Sequence, residues 1–441
     1  MGSGASRTSN SLLKDVEWKW QSNENPFSEE SAEWKPYSDL ENLIIERALK
    51  NKQQRAFLDG HIIDLESNLQ VLSTDHSKQR PIKRVIRKRK DTGLRKARFM
   101  DSLVGTTHLS GREYVWVSSF IIEVRRHLKL LPDDLPSKNR DLIPDLVEKA
   151  AAGIIAEGTK MNKKNEALEL ALRLREHKHK GIEEVWKCCA YLYTLESFLY
   201  EKLHEVMVSV GDKNKEQFWR SKLDTLGPFC LLLWDDPINT KLTTRKTLYH
   251  AAKLEPKEID KYKDMIKDGK NYGSFQAYIS CSRNRAKVEK LGNTLFIIEV
   301  FVAFTANLSS LSEYPKEEEE LITPGVCFHV KTVTSVVVGV DNDDGKPKIS
   351  KDANDHADVP KKLEDAYDRR NAVNIVGTYI DNDYADAPAH DNRARNAHIS
   401  IRVDRRRIIQ AAMMYDRDGY VIDKKKSGNR NDEYGKISTK S

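Results

Sequence analysis

Three kinds of hydrophobic patterning succeed one another along the chain, and each predicts a different kind of element. Near the N-terminus Val16-Glu17-Trp18-Lys19-Trp20 alternates apolar and polar residues at the strand period, and Trp34-Lys35-Pro36-Tyr37-Ser38 continues the aromatic theme. Ser38 is a good N-cap for a short helix over 40–49 that places Leu43, Ile44 and Ala48 on one side. Ile62-Ile63-Asp64-Leu65 and the run Ile82 to Ile86 read as strands, and the basic, apolar-poor stretch 87–98 reads as a linker. From Tyr114 to about Trp234 the period becomes helical. Ile182, Val185, Trp186, Cys189, Ala190 and Tyr193 form one stripe, Leu199, Leu203, Val206 and Met207 extend it, and 166–174 is a shorter helix. Gly227-Pro228 is expected to end that block. After about Thr243 the apolar runs take strand length and composition, as in 294–301 and 327–338. Helices followed by strands, without βαβ alternation, predict an α+β fold. Beyond Gly339 polar residues crowd out apolar ones except in the islands 399–403 and 408–414, so a largely disordered tail is expected over 339–441.

With 441 residues the chain can bury two or three separate cores. Its net charge of +7 suits an anionic ligand without demanding nucleic acid, which is not an expected partner even though Arg84 to Lys90 could form a nuclear-import or nucleic-acid patch. The five cysteines show neither a disulfide framework nor zinc spacing, which points to a reducing compartment and no metal. No apolar run reaches the length of a membrane span and no signal peptide precedes the chain, so an intracellular protein, cytoplasmic or nuclear, is expected. Membrane contact would come only through Gly2, which with Ser6 fits the myristoylation pattern.

Several familiar motifs fail. The loop from Gly339 to Lys346 has the wrong glycine spacing for a phosphate loop, and Asp341 to Gly345 lacks ligands of a calcium loop. His177 and His179 stand among lysines and read as solvated. No Gly-x-Gly-x-x-Gly is present, so a nicotinamide dinucleotide would not sit on a Rossmann fingerprint.

Candidate chemistry lies in the C-terminal half. Leu248-Tyr249-His250-Ala251-Ala252 is an apolar strand carrying a polar side chain, and Tyr278-Ile279-Ser280-Cys281-Ser282 places small hydroxyls after a second one. Then Glu317-Glu318-Glu319-Glu320 runs into Leu321-Ile322-Thr323-Pro324-Gly325. Four acids alone suggest a solvated loop, but acids entering a buried strand are costly to hold without a use. At strand period, Glu317 and Glu319 would share one side, and Glu318 and Glu320 the other.

In this order and with these flanks the segments resemble the arginine-specific mono-ADP-ribosyltransferases, whose signature is Arg–Ser–Glu-x-Glu. The resemblance spans about 114–338, with Tyr191, Tyr193, Thr194, Leu199, Tyr200 and Leu203 similar to the family's helical subdomain. It implies a helical subdomain on a split sheet, NAD as co-substrate and a protein arginine as acceptor. Counting back from Pro324 gives Glu319 as catalytic acid and Glu317 as the residue positioning the acceptor guanidinium; a register shifted by one would name Glu318 and Glu320. By the same resemblance Ser280 orients the nicotinamide ribose and Glu319, and Ser282 and His250 join Ser280 and Glu319 in binding NAD. His250 stands where the family has arginine, with Arg245 upstream out of register. Histidine is shorter and cannot pair with phosphate bidentately.

Further toward the N-terminus, Trp18, Trp20, Trp34, Pro36, Tyr37, Ile63, Gln70, Arg80 and Arg84 fall in an order that resembles a WWE domain over 16–89. That resemblance implies ADP-ribose binding, with Tyr37 stacking on adenine, Gln70 on a base or ribose edge and Arg80 on phosphate. At least two of the tryptophans read as core instead. The expected organisation is a flexible 1–15, the WWE-like module 16–89, a basic linker 90–113, the transferase-like domain 114–338 and the tail 339–441. The expected function is an NAD-dependent transferase recruited to ADP-ribosylated proteins. The rival is a catalytically inactive scaffold that only binds ADP-ribose.

Overall fold

The computed structural model describes residues 16–28, 31–86, 95–100, 118–131, 134–237, 246–267, 272–300, 305–337 and 395–403. In the N-terminal module, β1 (Val16–Gln21), β2 (Trp34–Pro36), β3 (Arg55–Phe57), β4 (His61–Asp64), β5 (Leu69–Leu72) and β6 (Asp75–Ile86) form one antiparallel sheet in the order β2-β1-β6-β5-β4-β3. Helix α1 (Asp39–Lys50) lies against it. Its start is fixed by a capping box, in which the Ser38 hydroxyl accepts from the Glu41 amide and the Glu41 carboxylate accepts from the Ser38 amide.

Helix α1 has two buried faces. Ile45 and Ala48 join Trp18, Tyr37, Ile63 and Ile82 in the core of the module, with Trp20 packed beside them. Leu40 and Leu43, both fully buried, join the core of the helical block that follows. That block comprises α3 (Ser119–His127), α4 (Ile143–Lys160), α5 (Lys164–Arg175), α6 (Ile182–Thr194), α7 (Phe198–Ser209), α8 (Glu216–Arg220) and α9 (Gly227–Trp234), while the short α2 (Lys96–Phe99) packs on the second sheet. The two parts are pinned further by Arg47, which pairs with Glu169 and Glu176 at 2.9 Å. Asp59 accepts from the Asn165 and Glu166 amides at 2.7 and 3.0 Å. A turn of the module thus caps α5, which has no side-chain cap of its own.

The second sheet holds β7 (Lys246–Ala252), β8 (Tyr272–Ser274), β9 (Ile279–Ser282), β10 (Thr294–Val300), β11 (Thr305–Asn307), β12 (Glu319–Ile322), β13 (Cys327–Val337) and β14 (Arg395–Val403), in the order β11-β12-β9-β7-β10-β14-β13-β8. Helices α10 (Pro256–Lys267) and α11 (Arg285–Val288) complete the elements. Tyr262 and Met265 of α10 cover one face with Phe275, Phe296 and Phe328, while Tyr278 and Leu321 join the helical core. Helices and sheets are segregated, as an α+β fold requires. The sheet nearly parts between β7 and β9, which meet only at Tyr249 and Ser282.

Four expectations are corrected. Residues 395–403, assigned to the tail, form β14 in the middle of the sheet, parallel to β10 and antiparallel to β13. Ile399, Ser400 and Ile401 are all buried there, as a central strand covered on both faces requires. The rest of 339–441 lies outside the described residues, as do Gly2 and Arg245. Gly227-Pro228 opens a helix rather than closing one, because a first-turn proline forfeits no intrahelical bond. His177 is buried and bonded to the Arg173 carbonyl at 2.9 Å, not solvated. The segment 95–100 of the basic linker is packed into the molecule, with Phe99 fully buried against Ala251, Val288 and Leu295.

Candidate functional site

The near-split between β7 and β9 is where the candidate residues meet. His250 is fully buried on β7, and its Nδ1 donates to the Ser280 carbonyl of β9 at 2.8 Å, bridging strands that otherwise hardly pair. Ser280 and Ser282 are buried on the same face of β9. The Ser282 hydroxyl donates to the Glu317 carbonyl at 2.7 Å and accepts from the Asn284 amide, so it holds the acidic turn in place.

The four glutamates are separated by backbone geometry rather than by simple strand alternation. Glu317 ends a 3-10 turn, Glu318 is left-handed at φ 52°, and only Glu319 and Glu320 lie in β12. Such a φ is uncommon outside glycine and costs strain, and here it turns Glu317 toward the side of Glu319. Glu318 faces Lys287 at 3.6 Å. Glu320 is buried against Lys246 and the Thr305 hydroxyl, which explains how an acid occupies a place suited to an aliphatic residue. Burial, and then Arg283, push the Lys246 amine down to about 8.

Glu317 and Glu319 converge on two arginines. Arg95 binds both Glu317 oxygens, with Nη2 at 2.7 Å from Oε2 and Nε at 3.0 Å from Oε1, while its backbone amide adds a third donor at 3.0 Å. Its Nη1 donates to the Thr194 carbonyl and lies 3.8 Å from Asp39, and its guanidinium stacks 3.9 Å above the Tyr314 ring. Burial alone would weaken the charge on Arg95, but Glu317, Glu319 and Asp39 hold it more firmly protonated than a free arginine. Arg98 is almost wholly buried, with Nη2 at 2.5 Å from Glu319 Oε1 and 3.3 Å from the Ser280 hydroxyl, and Nη1 donating to the Tyr193 carbonyl. The fully buried Glu319 keeps its other oxygen, Oε2, without a hydrogen-bond donor. Among the described residues no three His, Cys, Asp or Glu side chains could jointly hold a metal ion, and no helix is long and apolar enough to cross a membrane.

A second constellation lies in the N-terminal sheet. Tyr37 is buried and donates to Gln70 Oε1 at 2.6 Å, and Gln70 faces Arg80 across β5 and β6. Arg80 Nη1 donates to the Gln21 and Asn23 carbonyls at 3.0 and 2.5 Å, and its guanidinium stands 5.6 Å from the Trp20 ring. The structure therefore brings Tyr37, Gln70 and Arg80 together. Residues 16–84 match the family model of the WWE domain.

Within the WWE domain Trp18 is core, and Glu46 receives both its indole N–H and Arg84. A search of characterised proteins returns no match to this sequence. Among solved structures the chain is similar to the ADP-ribosyltransferase HopU1 of Pseudomonas syringae pv. tomato DC3000, at 14% identity over 40% of this chain and 84% of that one, TM-score 0.30. It is also similar to the ADP-ribosyltransferase toxin Plx2a from Paenibacillus larvae, at 13% identity over 57% and 96%, TM-score 0.29. The type III effector XopAI from Xanthomonas axonopodis pv. citri overlaps at 12% identity over 49% and 87%, TM-score 0.34. Scores of this size carry no fold assignment.

Sequence patterning missed Arg95, Arg98, Asp39 and Tyr314. Asp39 is the first residue of the WWE helix, yet it accepts from the Tyr314 hydroxyl at 2.6 Å and the Glu196 amide at 2.9 Å. No local signal marks such contacts, which join segments far apart in sequence.

Proposed function

We propose that the chain is an NAD-dependent mono-ADP-ribosyltransferase acting on protein arginine, with its WWE domain binding ADP-ribose on already modified partners. The supporting observation is the seat of Arg95: Glu317 grips a guanidinium bidentately beside buried Glu319, the arrangement an arginine acceptor requires. NAD would supply a ribose–nicotinamide bond whose cleavage builds positive charge on the ribose. Glu319, fully buried, would oppose that charge from a water-excluded position, where a carboxylate is worth most. Its Oε2, buried without a donor, fits the hydroxyl of a ribose. Ser280 would hold the same sugar, and His250, with Nδ1 committed to β9, would line the site beside it. Glu317 would orient the acceptor and take its proton, since a guanidinium attacks poorly while charged. The test is transfer from labelled NAD to an arginine-rich protein, beside Glu319→Gln. Equal labelling by the two would remove Glu319 from the mechanism.

One observation favours a second reading, an inactive scaffold that only binds ADP-ribose. His250 is buried and tied to the Ser280 carbonyl, leaving no guanidinium at that position for the dinucleotide phosphates. Calorimetry of the full chain separates the readings: the scaffold binds ADP-ribose through Tyr37, Gln70 and Arg80 yet neither binds nor cleaves NAD.

A further inference from the structure

Helix α2 and Arg95 at its N-cap deliver two guanidinium groups, three residues apart, to the two acids of the candidate site. We propose that this segment is a tethered mimic of both substrates: Arg98 fills the subsite of NAD's nicotinamide ring, and Arg95 fills the acceptor subsite. The inference rests on the transferase function proposed above.

The nicotinamide ring of NAD is a flat cation attached to ribose, and a guanidinium is a flat cation too. Arg98 stands 4.8 Å from the Tyr193 ring and 5.1 Å from the Tyr200 ring, while its Nη2 reaches Ser280 and Glu319. Tyr193 and Tyr200 are thereby assigned as aromatic walls for a planar cation. Arg95 outlines the second subsite through Glu317, the Tyr314 face, the Thr194 carbonyl and Asp39. Because Asp39 begins the WWE helix, the reader domain contributes a wall to the acceptor subsite.

The mimicry is incomplete in an informative way. Arg98 Nε is buried without an acceptor, and Glu319 Oε2 is buried without a donor. Each orphan is costly, and Arg95 Nη2 at 4.0 Å from Oε2 is beyond hydrogen-bond reach. A ribose hydroxyl would satisfy the carboxylate where the arginine does not. Buried Phe99 tethers the segment to Ala251, Val288 and Leu295 beside the site. In this state the chain is closed to NAD, and entry of the dinucleotide displaces Arg98.

The test uses the full chain and a non-cleavable carbocyclic NAD analogue. Hydrogen exchange of the amides of residues 95–100 should quicken at least about tenfold when the analogue binds wild type. Arg98→Ala should tighten its Kd at least about tenfold by calorimetry, because the occupied fraction of the site is freed. Arg95→Ala should lower the KM for agmatine, a small guanidinium acceptor, by about tenfold. Unchanged or slower exchange in the complex would overturn the proposal, and that measurement stands even where Arg98→Ala does not fold. Weaker binding by folded Arg98→Ala would overturn it too, making Arg98 an anchor for the ligand. Absence of both analogue binding and nicotinamide release in all three proteins would sink the transferase function itself, and this inference with it.

Discussion

Glu46 in the WWE domain and Glu319 in the C-terminal sheet are both buried carboxylates facing arginine, yet their surroundings differ in kind. Around Glu46 both oxygens are used: Arg84 donates at 3.0 Å to each, and the Trp18 indole adds 3.1 Å to Oε2. Every partner belongs to the same small domain, and the backbone of α1 is unstrained. Around Glu319 one oxygen lacks a donor, the partner arginine lacks an acceptor at Nε, and the neighbouring Glu318 is left-handed. Its partner Arg98 comes from 221 residues away. A carboxylate that serves stability is satisfied, whereas one held at a cost across the fold is a candidate for chemistry.

The largest effect should come from the unsatisfied acid. Glu319→Gln keeps the shape and removes the charge, so nicotinamide release should fall roughly 10³-fold, about 4 kcal/mol of lost transition-state stabilisation. Circular dichroism should still show a folded chain. Release at the wild-type rate would make Glu319 no different in role from Glu46.

Next in size is the joint between the two regions. Leu43 is fully buried in the helical core although it belongs to the WWE helix. Leu43→Ala should cost about 3 kcal/mol in denaturant unfolding, from lost transfer energy and the cavity left behind. Both parts should weaken in one transition. Two separate midpoints, with only one displaced, would show that the WWE domain and the remainder are uncoupled.

Glu46 should give a smaller loss with a pH signature. Burial alone would raise its pKa, but bonds from Arg84 and Trp18 outweigh that and hold it below the usual carboxylate value. The folded state therefore binds fewer protons than the unfolded chain, so this stabilisation is complete above about pH 4.3 and is lost as pH falls through the depressed pKa. Glu46→Gln should lower stability by about 2 kcal/mol at pH 7, since it weakens the hold on a buried indole N–H and Arg84. The gap from wild type should shrink on acidification. A gap that stays constant down to pH 3 would mean that Glu46 does not carry it.

The same contrast explains how much could be read from the chain. Ser38, the alternating tryptophans and the ordering of Tyr37, Gln70 and Arg80 are local signals, and they located the WWE domain and its helix closely. The acids were legible as a group from Ser280, Pro324 and their order. The structure brings Glu317 and Glu319 together, but the left-handed Glu318 that does so has no sequence mark, for nothing in a row of glutamates says which one breaks the strand. Arg95 and Arg98 read as part of a basic linker. Composition cannot distinguish a basic residue facing water from one neutralised by an acid two hundred residues later. Strand β14 was hidden for a related reason, since its pairing partners β10 and β13 precede it by at least fifty residues of polar sequence.

Two arginines on one strand offer the finest comparison. Arg80 and Arg84 lie four residues apart on β6 and so share a face. Arg84 is spent on Glu46, a full charge, while Arg80 donates to the neutral carbonyls of Gln21 and Asn23 beside Gln70 and Tyr37. A carbonyl does not cancel a cation, so Arg80 retains charge with which to meet a phosphate. Calorimetry of the full chain with ADP-ribose should then show Arg80→Ala weakened about tenfold, near 1.4 kcal/mol, with the loss largest at low salt. Arg84→Ala should lower the unfolding midpoint while ADP-ribose affinity stays within about twofold of wild type. If instead Arg84→Ala loses affinity and Arg80→Ala does not, the ligand lies at the Glu46 end of that face and the pairing of roles must be reversed.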